Sequence, residues 1–222
     1  MAATGPAYFG SFIVTSQVFY KTPLSFAIVN VKPLLPGHVL VCSNRVVPRL
    51  KDLSTAEVTD LFLTAQKVSK VVETVYGAQG LNIAIQDGIA AGQSVPHVHT
   101  HLIPRRFKDL ANSDDIYALI ESEAGDLDKL FRERDNSQLR PTEPSTPVKV
   151  AVEVNKEMVL SGETQSAVSI AEAESQVPGR GRAKFPTPLP DELRKPRTLD
   201  EMEKEAKILA KFMAEYDRNS KL

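Results

Sequence analysis

The sequence predicts an α+β domain with an antiparallel sheet. Three observations point there: five short strand-like runs, turn-length links between several of them, and one long capped amphipathic helix between the third and fourth runs. Residues 12–18 and 24–30 read as the first two strands, since apolar and β-branched side chains dominate both. Pro33, Pro36 and Gly37 mark a turn, and residues 38–42 (HVLVC) form the third strand. Ser54 with Glu57 makes a capping box for the long helix, whose stripe includes Leu61, Ala65, Val68, Val72 and Val75 and whose stop is Gly77. Residues 81–86 (LNIAIQ) give the fourth strand, 87–96 (DGIAAGQSVP) a glycine-containing loop, and 97–103 the fifth strand, ended by Pro104. Asp114 or Asp115 starts a further helix running to about Arg132.

Composition changes near residue 137. The stretch from 137 to 196 holds eight of the fifteen prolines and many Ser, Thr and Glu, too little apolar surface to offset its ordering entropy, so it is expected to be largely disordered. Within it Val148, Val150, Val152 and Val154 alternate as an edge strand would, and Arg180 and Arg182 suit a solvated linker. Residues 199–216 regain helical periodicity through Met202, Ala206, Leu209, Met213 and Tyr216, and are expected to pack back on the main domain. The expected organisation is therefore a main domain over 1–136, a flexible insertion over 137–196, and a returning helix over 197–222.

The 222 residues carry a net charge of −1, so no global field would hold the chain on nucleic acid or an anionic membrane, and neither is an expected partner. No apolar run approaches the roughly 20 residues that span a bilayer. The first residues, MAATGPAYFG, lack the basic and apolar regions of a secretory signal, and the one cysteine, Cys42, suits a core position. Cytosol or nucleus is the expected compartment.

Three of the four histidines fall in HVHTHLI, residues 97–103. On a strand, His97, His99 and His101 would share one face, spaced roughly 6.6 Å apart. One reading is a metal site, but the outer two imidazoles would lie about 13 Å apart, too far to serve one ion. The other is nucleophilic catalysis, in which the middle imidazole attacks phosphorus and its neighbours fix its tautomer and bind charge. The preceding loop favours the second: Gly92, Gln93 and Ser94 offer close backbone approach, an amide and a hydroxyl to phosphate oxygens. Arg105, Arg106 and Lys108 follow as either a steering patch or a solvated basic turn.

HVHTHLI resembles the His-φ-His-φ-His-φ-φ signature of the histidine triad superfamily, with Thr100 where an apolar residue is usual. LSFAIVNVKPLLPGHVLVCSNR and NIAIQDGIAAGQSVPHVHTHLIPR are similar to the fragile-histidine-triad branch, fungal-type members above all. The resemblance covers residues 8–135 and the C-terminal helix, with the 137–196 linker outside it. It implies a HIT-like fold, a homodimer, and hydrolysis of a dinucleoside polyphosphate, diadenosine triphosphate (Ap3A), to AMP and ADP. It implies His99 as the nucleophile that becomes nucleotidylated, His101 as a ligand of the phosphate under attack, and His97 and His38 as supporting imidazoles. It further implies substrate contacts from Gln86, Gln93, Ser94 and the Gly92–Val95 backbone, and a nucleoside-side contact from Asn30. Tyr8, Ile13, Ile28 and Leu40 become the walls of an adenine pocket. Histidine at 101, where transferases of this superfamily carry glutamine, implies water as the acceptor.

Two departures bear on chain-length preference: Ser11 stands where some relatives have histidine, and Ile89-Ala90 replaces Pro-Glu. A divalent cation, Mg²⁺ or Mn²⁺, is expected to arrive on the substrate phosphates, with no metal held by the protein itself. Nucleotide sensing with little turnover and nucleoside phosphoramidase activity are the alternative functions.

Overall fold

A computed structural model describes residues 5–122, 125–137 and 196–220. Most of the insertion, including the alternating valines at 148–154, lies outside the described residues. The chain runs β1 (Tyr8–Phe9), β2 (Phe12–Ile13), β3 (Val18–Lys21), β4 (Ser25–Val29), β5 (Val39–Ser43), α1 (Thr55–Tyr76), β6 (Gly80–Ala84), β7 (His99–Arg105), α2 (Asp115–Glu121), α3 (Leu127–Ser137) and α4 (Leu199–Asn219). Strands β3-β4-β5-β7-β6 form one antiparallel sheet, while β1 and β2 make a separate hairpin.

Three expected elements differ. The strand expected at 12–18 is broken by a 3-10 turn, Thr15–Gln17, whose Gln17 N–H donates to the Val14 carbonyl. The helix expected from 114 to 132 is two helices, with the Gly125 N–H bonded to the Ser122 carbonyl between them. The strand expected from His97 begins at His99. His97 and Val98 instead bond to neighbouring loops, Val98 N–H donating to the Val47 carbonyl at 2.8 Å.

Helix α1 has the capping box read from the sequence: Ser54 Oγ accepts from the Glu57 N–H, and Glu57 accepts from the Ser54 N–H. It ends at Gly77 in the left-handed conformation. It lies across β4, β5 and β7, and its Leu61, Val68 and Val72 share one buried core with Val29, Val41 and Leu102 of those strands. Helix α4 carries its own box, Thr198 with Glu201, and packs on α1, β3 and β4 through Met202, Ala206, Leu209 and Met213. The amphipathic stripe of this segment thus closes the core from far along the chain.

Sheet register places the site. In antiparallel pairing, directly opposed side chains share a face. Ile28 opposes Leu40, Leu40 opposes His101, and Cys42 opposes His99, so these five residues lie on one side of the sheet. The same side continues through Ile103 into a second apolar cluster with Leu34, Leu35, Ile116 and Ile120.

Candidate active site

His99 and His101 stand two residues apart on β7, ring centroids 5.0 Å apart, both buried. Each imidazole nitrogen on the inner side meets a partner whose nature fixes the tautomer. The Leu34 N–H donates to His38 Nδ1 at 3.2 Å, so neutral His38 carries its proton on Nε2. That nitrogen lies 2.9 Å from His101 Nδ1 and donates to it, which puts the His101 proton on its own Nε2. His99 is set the other way. Its Nδ1 lies 2.7 Å from the His97 carbonyl and must donate, leaving Nε2 as a bare lone pair. Among the described residues, neither His99 Nε2 nor His101 Nε2 has a hydrogen-bond partner.

The site therefore sets a nucleophilic lone pair beside an N–H donor. A tetrahedral phosphorus centre with an anionic oxygen needs this combination. The same tautomers disfavour the metal alternative, because His101 offers a proton where a metal ligand must offer electrons. Among the described residues no group of three or more His, Cys, Asp or Glu is placed to hold a metal ion. Burial lowers the His99 pKa to about 4 and that of His101 well below its ordinary value, with mutual repulsion among the imidazoles adding to the second. Both rings are neutral near pH 7, as the tautomer argument requires.

His97 is tied from both sides: the Gly10 N–H donates to its Nδ1 at 3.1 Å, and its Nε2 donates to the Ser43 carbonyl at 2.7 Å. It anchors the β1–β2 hairpin, whose Phe9 stacks on His97 and sets its ring edge to face with His99 at 5.0 Å. Phe131 of α3 packs on Phe9 and Phe12.

The loop before β7 is tightly braced. Asp87 accepts from the Leu50 N–H and from Arg49, and Gln93 Nε2 donates to the Pro48 carbonyl at 2.8 Å. The N–H groups of Gly92 and Gln93 turn inward to the carbonyls of Ile89 and Gly88. Gly92 has φ +82°, and the Gln86 amide lies against it. Ser94 Oγ accepts from the Leu127 N–H at 3.0 Å, tying the loop to the start of α3.

Of the other residues read from the sequence, Asn30 is buried, and both ends of its amide are used within the protein: Oδ1 accepts from the Lys32 N–H, and Nδ2 faces His38. Leu40 is buried opposite His101, and Ile28 is buried opposite Leu40 one strand further along the same face. Tyr8 and Ile13 oppose each other on the hairpin and are exposed. Val95 is buried against Gly10. Sequence reasoning did not single out Leu34, Phe9, Asp87 or Arg49. The Asp-Gly pair at 87–88 was the one local signal, since an Asp before a glycine turn commonly accepts loop N–H groups.

Residues 12–108 match the HIT domain family model. An asymmetrical bis(5'-nucleosyl)-tetraphosphatase from Schizosaccharomyces pombe is 43% identical over 208 residues, 94% of either chain. The chain belongs to the histidine triad (HIT) family. A bis(5'-adenosyl)-triphosphatase from Dictyostelium discoideum is 52% identical, over 60% of this chain and 91% of its own. One from Saccharomyces cerevisiae is 38% identical over 95% of this HIT protein and 93% of its own length. The two fungal similarities span the 137–196 stretch, which the sequence reading had left outside the resemblance. The fold seen here, a five-stranded antiparallel sheet with flanking helices, is that of an α+β HIT protein.

Proposed function

We propose that this HIT protein hydrolyses dinucleoside polyphosphates, converting Ap3A to AMP and ADP through a nucleotidylated His99. The observation that carries the reading is the tautomer of His99, whose Nδ1 donates to the His97 carbonyl and whose Nε2 lone pair has no partner among the described residues. Nε2 forms a bond to the α-phosphorus as the bond to the bridging oxygen breaks, and ADP leaves. Water then attacks the same phosphorus, the P–N bond breaks, and AMP departs with Nε2 restored. Two in-line displacements give net retention at phosphorus.

His101 Nε2–H would bind a non-bridging oxygen of the phosphate under attack, with His38 holding its tautomer and His97 the hairpin. Ser94 and Val95, with the amides of Gln86 and Gln93, would contact the phosphates, while Gly92 supplies the loop conformation. Ile28 and Leu40, with Tyr8 and Ile13 across the hairpin, would border the adenine, and Asn30 would lie toward the nucleoside. A divalent cation, Mg²⁺ or Mn²⁺, enters as part of the substrate. The relatives' names support this substrate class; that of the S. pombe relative brings the tetraphosphate Ap4A in as a second substrate. No helix among the described residues is long and apolar enough to cross a membrane, and cytosol or nucleus is the proposed compartment. A homodimer is proposed as well, supported by exposed Ile83 on edge strand β6.

The test is product analysis by ion exchange after incubation of wild type and His99→Ala with Ap3A or Ap4A and Mg²⁺. AMP with ADP from Ap3A, and loss of at least about a hundredfold in the variant, is the expected result. Absence of turnover by wild type, or full turnover by the variant, overturns the assignment.

A further inference from the structure

We infer that Arg197, which lies beyond the insertion and just before α4, is a positioning residue for the histidine relay. Its side chain is buried, and two of its nitrogens, Nε and Nη2, donate to one acceptor, the Asn30 carbonyl at the end of β4; the Nε contact is 3.0 Å. Its own backbone N–H donates to the Val31 carbonyl at 2.8 Å. The remaining guanidinium arm is neutralised by buried Glu205, nearly two turns into α4, and Glu205 also accepts from the Tyr76 hydroxyl at 2.5 Å. Tyr76 in turn packs on Gly37, where a Cβ would come within 2.5 Å of its ring. The segment from Asn30 to His38 is thus gripped at one end by Arg197 and at the other by Tyr76, and Glu205 joins the two grips.

The grip reaches the chemistry through Asn30. Its Nδ2 lies 3.4 Å from His38 Nδ1 and 3.3 Å from Nε2. One atom this near to both ring nitrogens would collide with Cε1–H if it lay in the ring plane, so it lies over the imidazole face. Asn30 therefore sets the plane of the ring and leaves the two in-plane positions to the Leu34 N–H and to His101. Rotation of that plane would turn Nε2 away from His101 and release the His101 tautomer. A buried ion pair is a poor source of stability, because desolvation offsets most of its attraction. Placing one against the backbone of this strand end suits orientation better than stability.

The catalytic part of this inference rests on the proposed hydrolase function; the tautomer part does not. The experiment uses the ¹⁵N-labelled full chain, read by imidazole nitrogen spectra and by Ap3A kinetics. Two variants are compared with wild type: Arg197→Lys, which keeps the charge but cannot fork onto one carbonyl, and the triple Tyr76→Phe/Arg197→Met/Glu205→Leu, which replaces the buried polar group by apolar residues and is expected to fold. The expected result is a changed His38 and His101 nitrogen pattern in both, with kcat at least about tenfold lower in the triple variant, less so in the lysine variant, and KM within about threefold. Folded variants with wild-type nitrogen patterns and kcat overturn the inference and leave Arg197 a structural residue. If wild type itself fails to turn over Ap3A, the hydrolase reading falls, and the nitrogen patterns alone decide the positioning role.

Discussion

His38 Nε2 lies 2.9 Å from His101 Nδ1, and because a backbone N–H occupies the other His38 nitrogen, the proton between the two rings belongs to His38. The consequence is an N–H on the far nitrogen of His101, aimed where a phosphate oxygen would sit. His38→Ala removes the device that selects this tautomer without touching His99, the proposed nucleophile. The expected effect is a fall in kcat of about 10- to 100-fold, by analogy with the loss of a partner that fixes the tautomer of a metal-ligating histidine. KM for Ap3A changes less. Steady-state kinetics at pH 7 checks this, and an unaltered kcat would show that the relay does not set the reactive form.

Burial makes the histidines an acid-sensitive element. His99 is pushed down to about 4 by desolvation, and His97 and His101 shift in the same direction. An unfolded imidazole titrates near about 6.5, so between these values the unfolded chain binds more protons than the folded one. The histidine contribution to stability is complete above about pH 6.5 and is lost as pH falls toward 4. For His99 alone it amounts to about 3 kcal/mol. Urea unfolding at pH 7, 6 and 5 should show a falling midpoint, and His99→Phe should weaken that dependence. A midpoint flat over this range would mean that the rings are hydrated and not desolvated.

Element types were legible because period-2 and period-3.6 patterns and the Ser54–Glu57 capping box are local; the second box, Thr198 with Glu201, was equally local and went unread. The triad was legible for the same reason: three histidines at alternate positions are visible without a partner. What escaped reading depended on other parts of the chain. His97 leaves the strand because its ring and backbone bond to the Gly10 and Ser43 regions, and nothing in HVHTHLI announces that. The turn at Thr15–Gln17 was hidden by the apolar residues on either side of it. Arg197 meets Asn30 across 167 residues, a distance over which spacing carries no information. The polar residues of the loop before β7 were singled out, but their bracing by Pro48, Arg49 and Leu50 was not, since those partners belong to a different loop.

Gly92 joins loop conformation to the Gln86 amide. With φ at +82°, an alanine there is strained by about 1–2 kcal/mol, and its Cβ would come within 2.6 Å of Gln86 Nε2. Gly92→Ala should lower stability by that amount and raise KM for Ap3A, because the displaced amide would lose its proposed contact with the phosphates. Thermal unfolding and initial-rate kinetics read the two effects separately. A variant with wild-type KM would remove Gln86 from the substrate contacts.

Ser94 is proposed to serve two partners with one hydroxyl. Its oxygen accepts from the Leu127 N–H, and its proton remains for a phosphate oxygen. Ser94→Ala therefore leaves the first N–H of α3 without its acceptor, at a cost of about 1 kcal/mol, and takes a donor from the substrate. Loosening α3 also frees Phe131, which packs on Phe9 and through it on His99. The expected outcome is a lowered melting temperature together with a several-fold rise in KM. Ser94→Thr keeps the hydroxyl and should recover most of both. If Ser94→Ala lowers the melting temperature and leaves KM unchanged, the hydroxyl serves α3 alone, and the phosphate contacts fall to Val95 and the two glutamines.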